Sequence, residues 1–198
     1  MTATLVRPAP EVVAERAREI HTALTGDPEI GRLETAVSQY TSDWDDFYGY
    51  PVIIEYDAVA DAPGLFTEAI RAMAIKSAVW DLTGGDEQAS ELPLSVPVDT
   101  MTHAMMAQFS LLTRMMQRHS IQFVHMTDME QGAAAWDHGD YTHQVYRAAF
   151  GPTNDRYWIG ADETERRRTV LDGVYGGIGV TERGKRVSIP LGVGDSTS

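Results

Sequence analysis

The chain contains no cysteine, and this absence removes several kinds of site at once. None of its 198 residues is Cys, so disulfide bonds, thiolate zinc sites, cysteine-ligated iron–sulfur clusters and cysteine nucleophiles are excluded. A metal site in this chain therefore has to rely mainly on histidine nitrogen and carboxylate oxygen.

Long apolar runs and a leader-like N-terminus are also missing. No stretch of about 18 apolar residues occurs, so no membrane span is expected. The first residues, MTATLVRPAPEVVAERA, contain no basic segment followed by an apolar block, which a secretory signal requires. The default expectation is a cytoplasmic protein.

Basic side chains are few and unevenly placed. Lys and Arg number 16 against 29 Asp and Glu, for a net charge of −13. Residues 1–100 carry 18 acidic and six basic side chains, so this half should repel nucleic acid and anionic membranes. Seven bases cluster late in the chain, either as a solvated surface or as a patch for an acidic partner or a neighbouring copy.

Helical periodicity recurs along most of the chain, and short β-branched or aromatic runs interrupt it. The spacing predicts about six helices, at residues 10–24, 28–40, 64–82, 99–119, 140–150 and 162–175. The interrupting runs predict strands at residues 51–56, 121–126 and 156–159, and a β-hairpin at residues 177–190. The expected fold class is α+β: a helix-rich single domain with a small antiparallel sheet and a C-terminal β-hairpin.

One globular domain is expected over residues 1–198, since 43% of the residues are apolar and can fill a single core. Chain termini fray unless something holds them, so ordered tails at residues 1–9 and 191–198 would need a surface to pack on. We interpret them as terminal extensions that pack on a partner or a neighbouring subunit. On this interpretation the protein is a homo-oligomer or part of a larger protein assembly.

Histidines and carboxylates are concentrated between residues 124 and 144. Neutral imidazole and carboxylate are the ligands of non-thiolate zinc and non-haem iron sites. His138, Asp140 and His143 are thus candidate ligands for a divalent metal such as Fe or Zn. The four candidate catalytic residues are His125, His138, His143 and Asp140, because histidine exchanges protons near neutral pH. In the structural alternative, Asp140 only caps a helix and His143 is an ordinary first-turn residue.

Methionines are concentrated just before this segment, with seven of the nine between Met101 and Met129. Such a stripe is typical of core packing, but flexible thioethers also suit an irregular apolar ligand or a partner helix. The candidate cofactor-binding residues are Met105, Met116 and His119. Copper held by His103, His119 and His125, or haem held axially by His119 and His125, are alternatives.

Lys76 lies in an apolar segment, AMAIKSAVW, that is expected to be the central buried helix. A lysine there either acts as a nucleophile or base or extends its ammonium group to water.

Two functions remain open from the sequence. The first is a small-molecule enzyme or ligand-binding protein, with or without a bound metal. Its His/Asp-lined pocket would lie between the methionine-rich helix and residues 125–143. The second is a non-catalytic structural or accessory subunit of a larger assembly.

Overall fold

The computed structural model describes residues 6–38, 58–125 and 136–177, and every regular element within these ranges is a helix. The eight helices are α1 (Pro10–Thr25), α2 (Ile30–Ser38), α3 (Ala58–Thr83), α4 (Glu87–Ser90), α5 (Val96–Met106), α6 (Phe109–His119), α7 (Tyr141–Phe150) and α8 (Ala161–Gly177). The predicted α+β class with a small sheet is therefore wrong for the described residues, which form no strand. None of these helices is long and apolar enough to cross a membrane.

Helix α3 is the centre of the packing, as its apolar sequence predicts. It contacts α1, α2, α4, α5 and α7. Its interior is rich in alanine, and Ala69, Ala72 and Ala78 are completely buried. Small side chains on a central helix let the neighbouring helices approach closely while larger residues fill the remaining space.

Two predicted strands are buried coil or turn instead. Residues 121–125 belong to no regular element, although Ile121, Phe123 and Val124 are buried. Around residues 156–159 the backbone polar groups have hydrogen-bond partners other than a neighbouring strand. The amides of Tyr157 and Trp158 both donate to the Asn154 carbonyl at 2.9 Å. The Ser95 hydroxyl accepts from the Ile159 amide at 2.9 Å and donates to the Tyr157 carbonyl at 2.8 Å. These bonds replace the ladder that a strand would have needed.

The other predicted β elements cannot be compared. Residues 51–56 lie outside the described residues, and so does the hairpin segment except Gly177, which ends α8.

The single helix predicted over residues 99–119 is in fact two, α5 and α6, separated at Ala107 and Gln108. Gln108 leaves the helical conformation, with φ −84° and ψ 43°. The two helices differ in burial on either side of this break: Met101 and Met105 of α5 are buried, whereas Phe109 at the start of α6 is 71% exposed.

Two helices begin where the residues at their N-termini predict. Helix α1 begins at Pro10, and Asp140 caps α7 by accepting from the His143 amide at 2.7 Å.

Candidate functional site

Two potential ligand side chains project from one face of α5. Asp99 and His103 are four residues apart, so they lie one above the other on the helix surface. His103 Nδ1 is 4.0 Å from Asp99 Oδ2. The apolar residues of the same helix, including Val98, Met101 and Met105, are buried in the core. Core packing of α5 therefore fixes the direction in which Asp99 and His103 point.

His125 reaches the same place from the segment after α6. Ser120 ends that helix in the left-handed conformation, with φ 53°, and the chain then runs through buried Ile121 and Phe123. The His125 ring lies 4.5 Å from the His103 ring, centroid to centroid, in an edge-on arrangement. His125 Nε2 is 3.8 Å from Asp99 Oδ1. We call Asp99, His103 and His125 together the histidine cluster.

The His125 side chain is only 7% exposed, and its Nε2 atom has no hydrogen-bond partner among the described residues. Burial lowers the pKa of His125 to about 3, with further lowering from the Lys76 charge and from His103. His125 is therefore uncharged at neutral pH. A buried polar atom without a partner is rare in folded proteins. A group bound at this position would supply the partner that Nε2 lacks.

Lys76 lies on the other side of the His125 ring. Its side chain is 2% exposed, and Nζ lies 2.6 Å from Glu91 Oε1 and 3.3 Å from His125 Nδ1. The alternative in which Lys76 extends to water is thus wrong. Arg7 donates to the Glu91 carbonyl at 3.2 Å and to the Ala89 carbonyl at 2.8 Å, which fixes the segment that carries Glu91.

The histidine cluster has the ligand types of a metal site. Within the described ranges it is the only set of three His, Asp or Glu side chains whose potential ligand atoms all lie within 4.8 Å of one another. Two imidazoles and one carboxylate suit zinc or ferrous iron. Asp99 is 35% exposed, so the cluster is open to solvent on the Asp99 side.

The sequence-predicted metal ligands form a different group at the start of α7. His138 and His143 contact each other edge-on, with ring centroids 5.3 Å apart, and both contact buried Trp136. His143 Nδ1 accepts from the Gly139 amide at 2.7 Å. Burial raises the pKa of Asp140 and lowers that of His143.

His138, Asp140 and His143 do not bring three ligand atoms within 4.8 Å of one another. The contacts of Asp140 and His143 are those of a helix start, as the structural alternative described. His125, which was predicted to join this group, contacts His103, Asp99 and Lys76 instead. A catalytic or metal role for the three residues stays a prediction.

The three residues predicted to bind a cofactor contact other side chains of the protein. Met105 is completely buried, and Met116 packs against the core. His119 Nε2 lies 2.8 Å from Asp27 Oδ2, next to the paired Arg118 and Asp27 side chains. Binding of haem, copper or another cofactor by Met105, Met116 and His119 stays a prediction.

Sequence reasoning missed Asp99 and Glu91 as site residues. The Asp99–His103 spacing, four residues apart on a predicted helix, was a usable signal for a shared face. Glu91 gave no such signal, because its contact with Lys76 depends on how the segment after α4 folds back on α3.

Comparison with known proteins gives no relative from which a function could be transferred: no family model, no curated protein and no solved structure matches the chain. The function therefore has to be argued from the side chains of the site.

Proposed function

We propose that the protein is a small-molecule enzyme or ligand-binding protein whose working site is the histidine cluster. The observation that carries this proposal is the His125 Nε2 atom, which is buried and has no hydrogen-bond partner among the described residues. Leaving such an atom unsatisfied costs about 1–3 kcal/mol. A bound group at this position would recover that cost.

Access from solvent supports the same proposal. Asp99 is partly exposed, His103 less so and His125 almost fully buried. The three side chains therefore form a gradient from the surface to the interior, as expected of a site that a small polar molecule enters from one side. Met101 and Met105 on the same helix are completely buried, and they anchor the helix that carries Asp99 and His103.

The location agrees in part with the sequence-based hypothesis. The site lies beside the methionine-rich helix and includes His125. Its other members are Asp99 and His103 in place of His138, Asp140 and His143.

Histidine-detected NMR tests the proposal. The probes are small carboxylic acids, amides and alcohols, added to the full chain in the presence of a metal chelator. At least one class should shift the ring signals of His103 and His125 and leave that of His138 unchanged. The shift of the His125 signal should disappear in His103→Gln. If no probe moves the His103 and His125 signals, or if the His125 shift persists in His103→Gln, the histidine cluster is not a small-molecule site.

The second hypothesis, a non-catalytic subunit of a larger assembly, stays a prediction. The residues it depends on, 1–9 and 191–198, are described only from Val6 to Ala9. There Arg7 lies over the ring of Tyr141, and the Tyr141 hydroxyl donates to the Pro8 carbonyl at 2.7 Å. These contacts are within the chain itself. The homo-oligomer and the cytoplasmic location likewise stay predictions, and light scattering on the full chain would test the former.

A further inference from the structure

We propose that the histidine cluster binds a divalent transition metal ion of the zinc type. The ligands are a carboxylate oxygen of Asp99, a ring nitrogen of His103 and Nε2 of His125. This inference rests on the proposed function, because it assigns a ligand to the same site.

The separations are short enough for one ion. Zinc bonds nitrogen and oxygen at about 2.0–2.2 Å, which places the ligand atoms of a tetrahedral site about 3.3–3.4 Å apart. Asp99 Oδ2 is 4.0 Å from His103 Nδ1, and Asp99 Oδ1 is 3.8 Å from His125 Nε2. The ring nitrogens of His103 and His125 also lie within 4.8 Å of each other. Binding would therefore bring the ligand atoms together by about 0.5–1.5 Å.

The two α5 ligands have a spacing that metal sites use. Residues four apart on a helix present their side chains to the same point, as in helical motifs where two histidines at this spacing bind zinc. The third ligand arrives from a separate segment. Three ligands from two segments fix an ion more firmly than the flexible side chains of one helix could.

His125 provides the independent observation. Its Nε2 atom is more than nine-tenths buried, points at Asp99 and lacks a hydrogen-bond partner among the described residues. An uncharged imidazole presents a lone pair on one nitrogen and a proton on the other. Without metal, Lys76 can only donate to Nδ1, so the unsatisfied Nε2 carries the ring proton. A metal ion would bind the other neutral tautomer, in which the proton has moved to Nδ1 and the lone pair lies on Nε2.

Lys76 does not block this arrangement, although it lowers the affinity. Metal binding at Nε2 leaves the ring proton on Nδ1, which faces Lys76 Nζ at 3.3 Å. Lys76 keeps its shorter contact of 2.6 Å with Glu91. The longer contact becomes one between two donors, and this unfavourable contact is one reason why Lys76 lowers the affinity. The Glu91 carboxylate also offsets the charge of Lys76 towards the ion.

The ligand set selects the class of ion. Imidazole nitrogen favours zinc and iron over magnesium and calcium, which prefer oxygen ligands. Three protein ligands leave a fourth position, and the exposure of Asp99 places it towards solvent. Such an open position is typical of catalytic zinc sites and would hold water or a substrate.

Calorimetric titration of the chelator-treated full chain with Zn²⁺ alone tests the inference, with Co²⁺ absorption as a second readout of the nitrogen and oxygen ligands. One ion per chain is expected. Asp99→Asn and His103→Gln replace partly exposed residues, so folding should be retained. Each should weaken zinc binding at least about tenfold, since even outer partners of metal ligands contribute that much.

His138→Gln is the matched control, because it removes an exposed histidine from the other group and should leave the affinity unchanged. Lys76→Gln should tighten binding severalfold. The amide oxygen can accept from His125 Nδ1 and the amide NH₂ can still donate to Glu91, while the positive charge near the ion is gone.

Three results would overturn the metal assignment: no zinc bound, unchanged affinity in both Asp99→Asn and His103→Gln, or loss of binding in His138→Gln. Each is distinguishable from failure of the proposed function, because the NMR probes are tested with metal removed. Probe binding without zinc binding leaves a small-molecule site that uses no metal. Zinc binding without probe binding leaves a metal site alone.

Discussion

Replacing Glu91 with leucine is expected to destabilise the protein by about 3 kcal/mol, since it leaves the Lys76 ammonium buried without its partner. The contact is short, 2.6 Å from Nζ to Oε1, and the two side chains are 2% and 14% exposed. Water can reach Glu91 in part but not Lys76. The cost therefore falls on Lys76, whose other side-chain contact within the described residues is the His125 ring, 3.3 Å from Nζ.

The magnitude follows from the asymmetry of buried ion pairs. Removing one partner costs about 3–5 kcal/mol, whereas replacing both by apolar residues of similar size is often neutral. The double variant Lys76→Met/Glu91→Leu should therefore lose only about 1 kcal/mol. Lys76→Met alone should cost about 1 kcal/mol, because water reaches the Glu91 carboxylate in part. The two single substitutions should then be coupled by about 3 kcal/mol, the upper end measured for residues in direct contact.

Urea unfolding at pH 7, followed by circular dichroism, measures these free energies, provided that the slope m stays constant among the variants. A matched control is the exposed pair of Arg166 and Glu163, whose closest atoms are 2.7 Å apart. Arg166→Met should cost less than about 1 kcal/mol. The reasoning is refuted if Glu91→Leu costs no more than this control, or if the double variant loses as much as the two single variants together.

Three further predictions concern stability elsewhere. Asp27→Asn should cost about 2 kcal/mol at pH 7 in urea unfolding, because the buried carboxylate accepts charge-assisted bonds from Arg118. The Arg118 side chain is the main cause that lowers the pKa of Asp27 to about 2, so this cost should fade as pH falls from about 4 to 2. Gly64→Ala should lower Tm, with a cost of about 1–3 kcal/mol, since an added Cβ would overlap the Tyr157 ring. Ser120→Gly should raise stability by about 0.5–1 kcal/mol, because glycine adopts the observed φ of 53° without strain.

Each of these has a control in the same chain. Glu15 is exposed, and Glu15→Gln should cost less than about 0.5 kcal/mol in urea unfolding at pH 7. Gly31 has nothing within 4 Å of an added Cβ, so Gly31→Ala should not destabilise. Ser110 lies inside α6, where glycine is unfavourable, and Ser110→Gly should cost about 0.5 kcal/mol. A Ser120→Gly variant less stable than the parent would contradict the strain argument, as would a Gly64→Ala variant with unchanged Tm.

The helix starts could be predicted because their causes are local. Pro10 opens α1, since the missing amide proton has no helical partner there. Asp140 caps α7 through its own carboxylate. The local sequence could not decide whether residues 156–159 form a strand, because a short apolar run fits a buried coil as well as a strand. The deciding contact comes from Ser95, more than 60 residues earlier in the chain.

The candidate site was predictable only in its parts. His125 was identified from its residue type, and the spacing of Asp99 and His103 indicates a shared helix face. Their meeting depends on α6, which separates them in sequence and determines where His125 lies. The break at Gln108 and the left-handed Ser120 set the path of this helix, and neither follows from periodicity.

The position of His125 therefore depends on how α6 is held. Its buried face, including Leu112 and Met115, packs into the core. Its C-terminal end is tied to the start of α2 by Arg118, which donates to both Asp27 oxygens at 2.9 Å. Because His125 follows only a few residues after this anchor, loss of the Asp27 charge should loosen the geometry of the histidine cluster as well as the fold. Zinc affinity of Asp27→Asn, measured at pH 7 where the variant remains folded, should then fall although Asp27 contacts none of the proposed ligands.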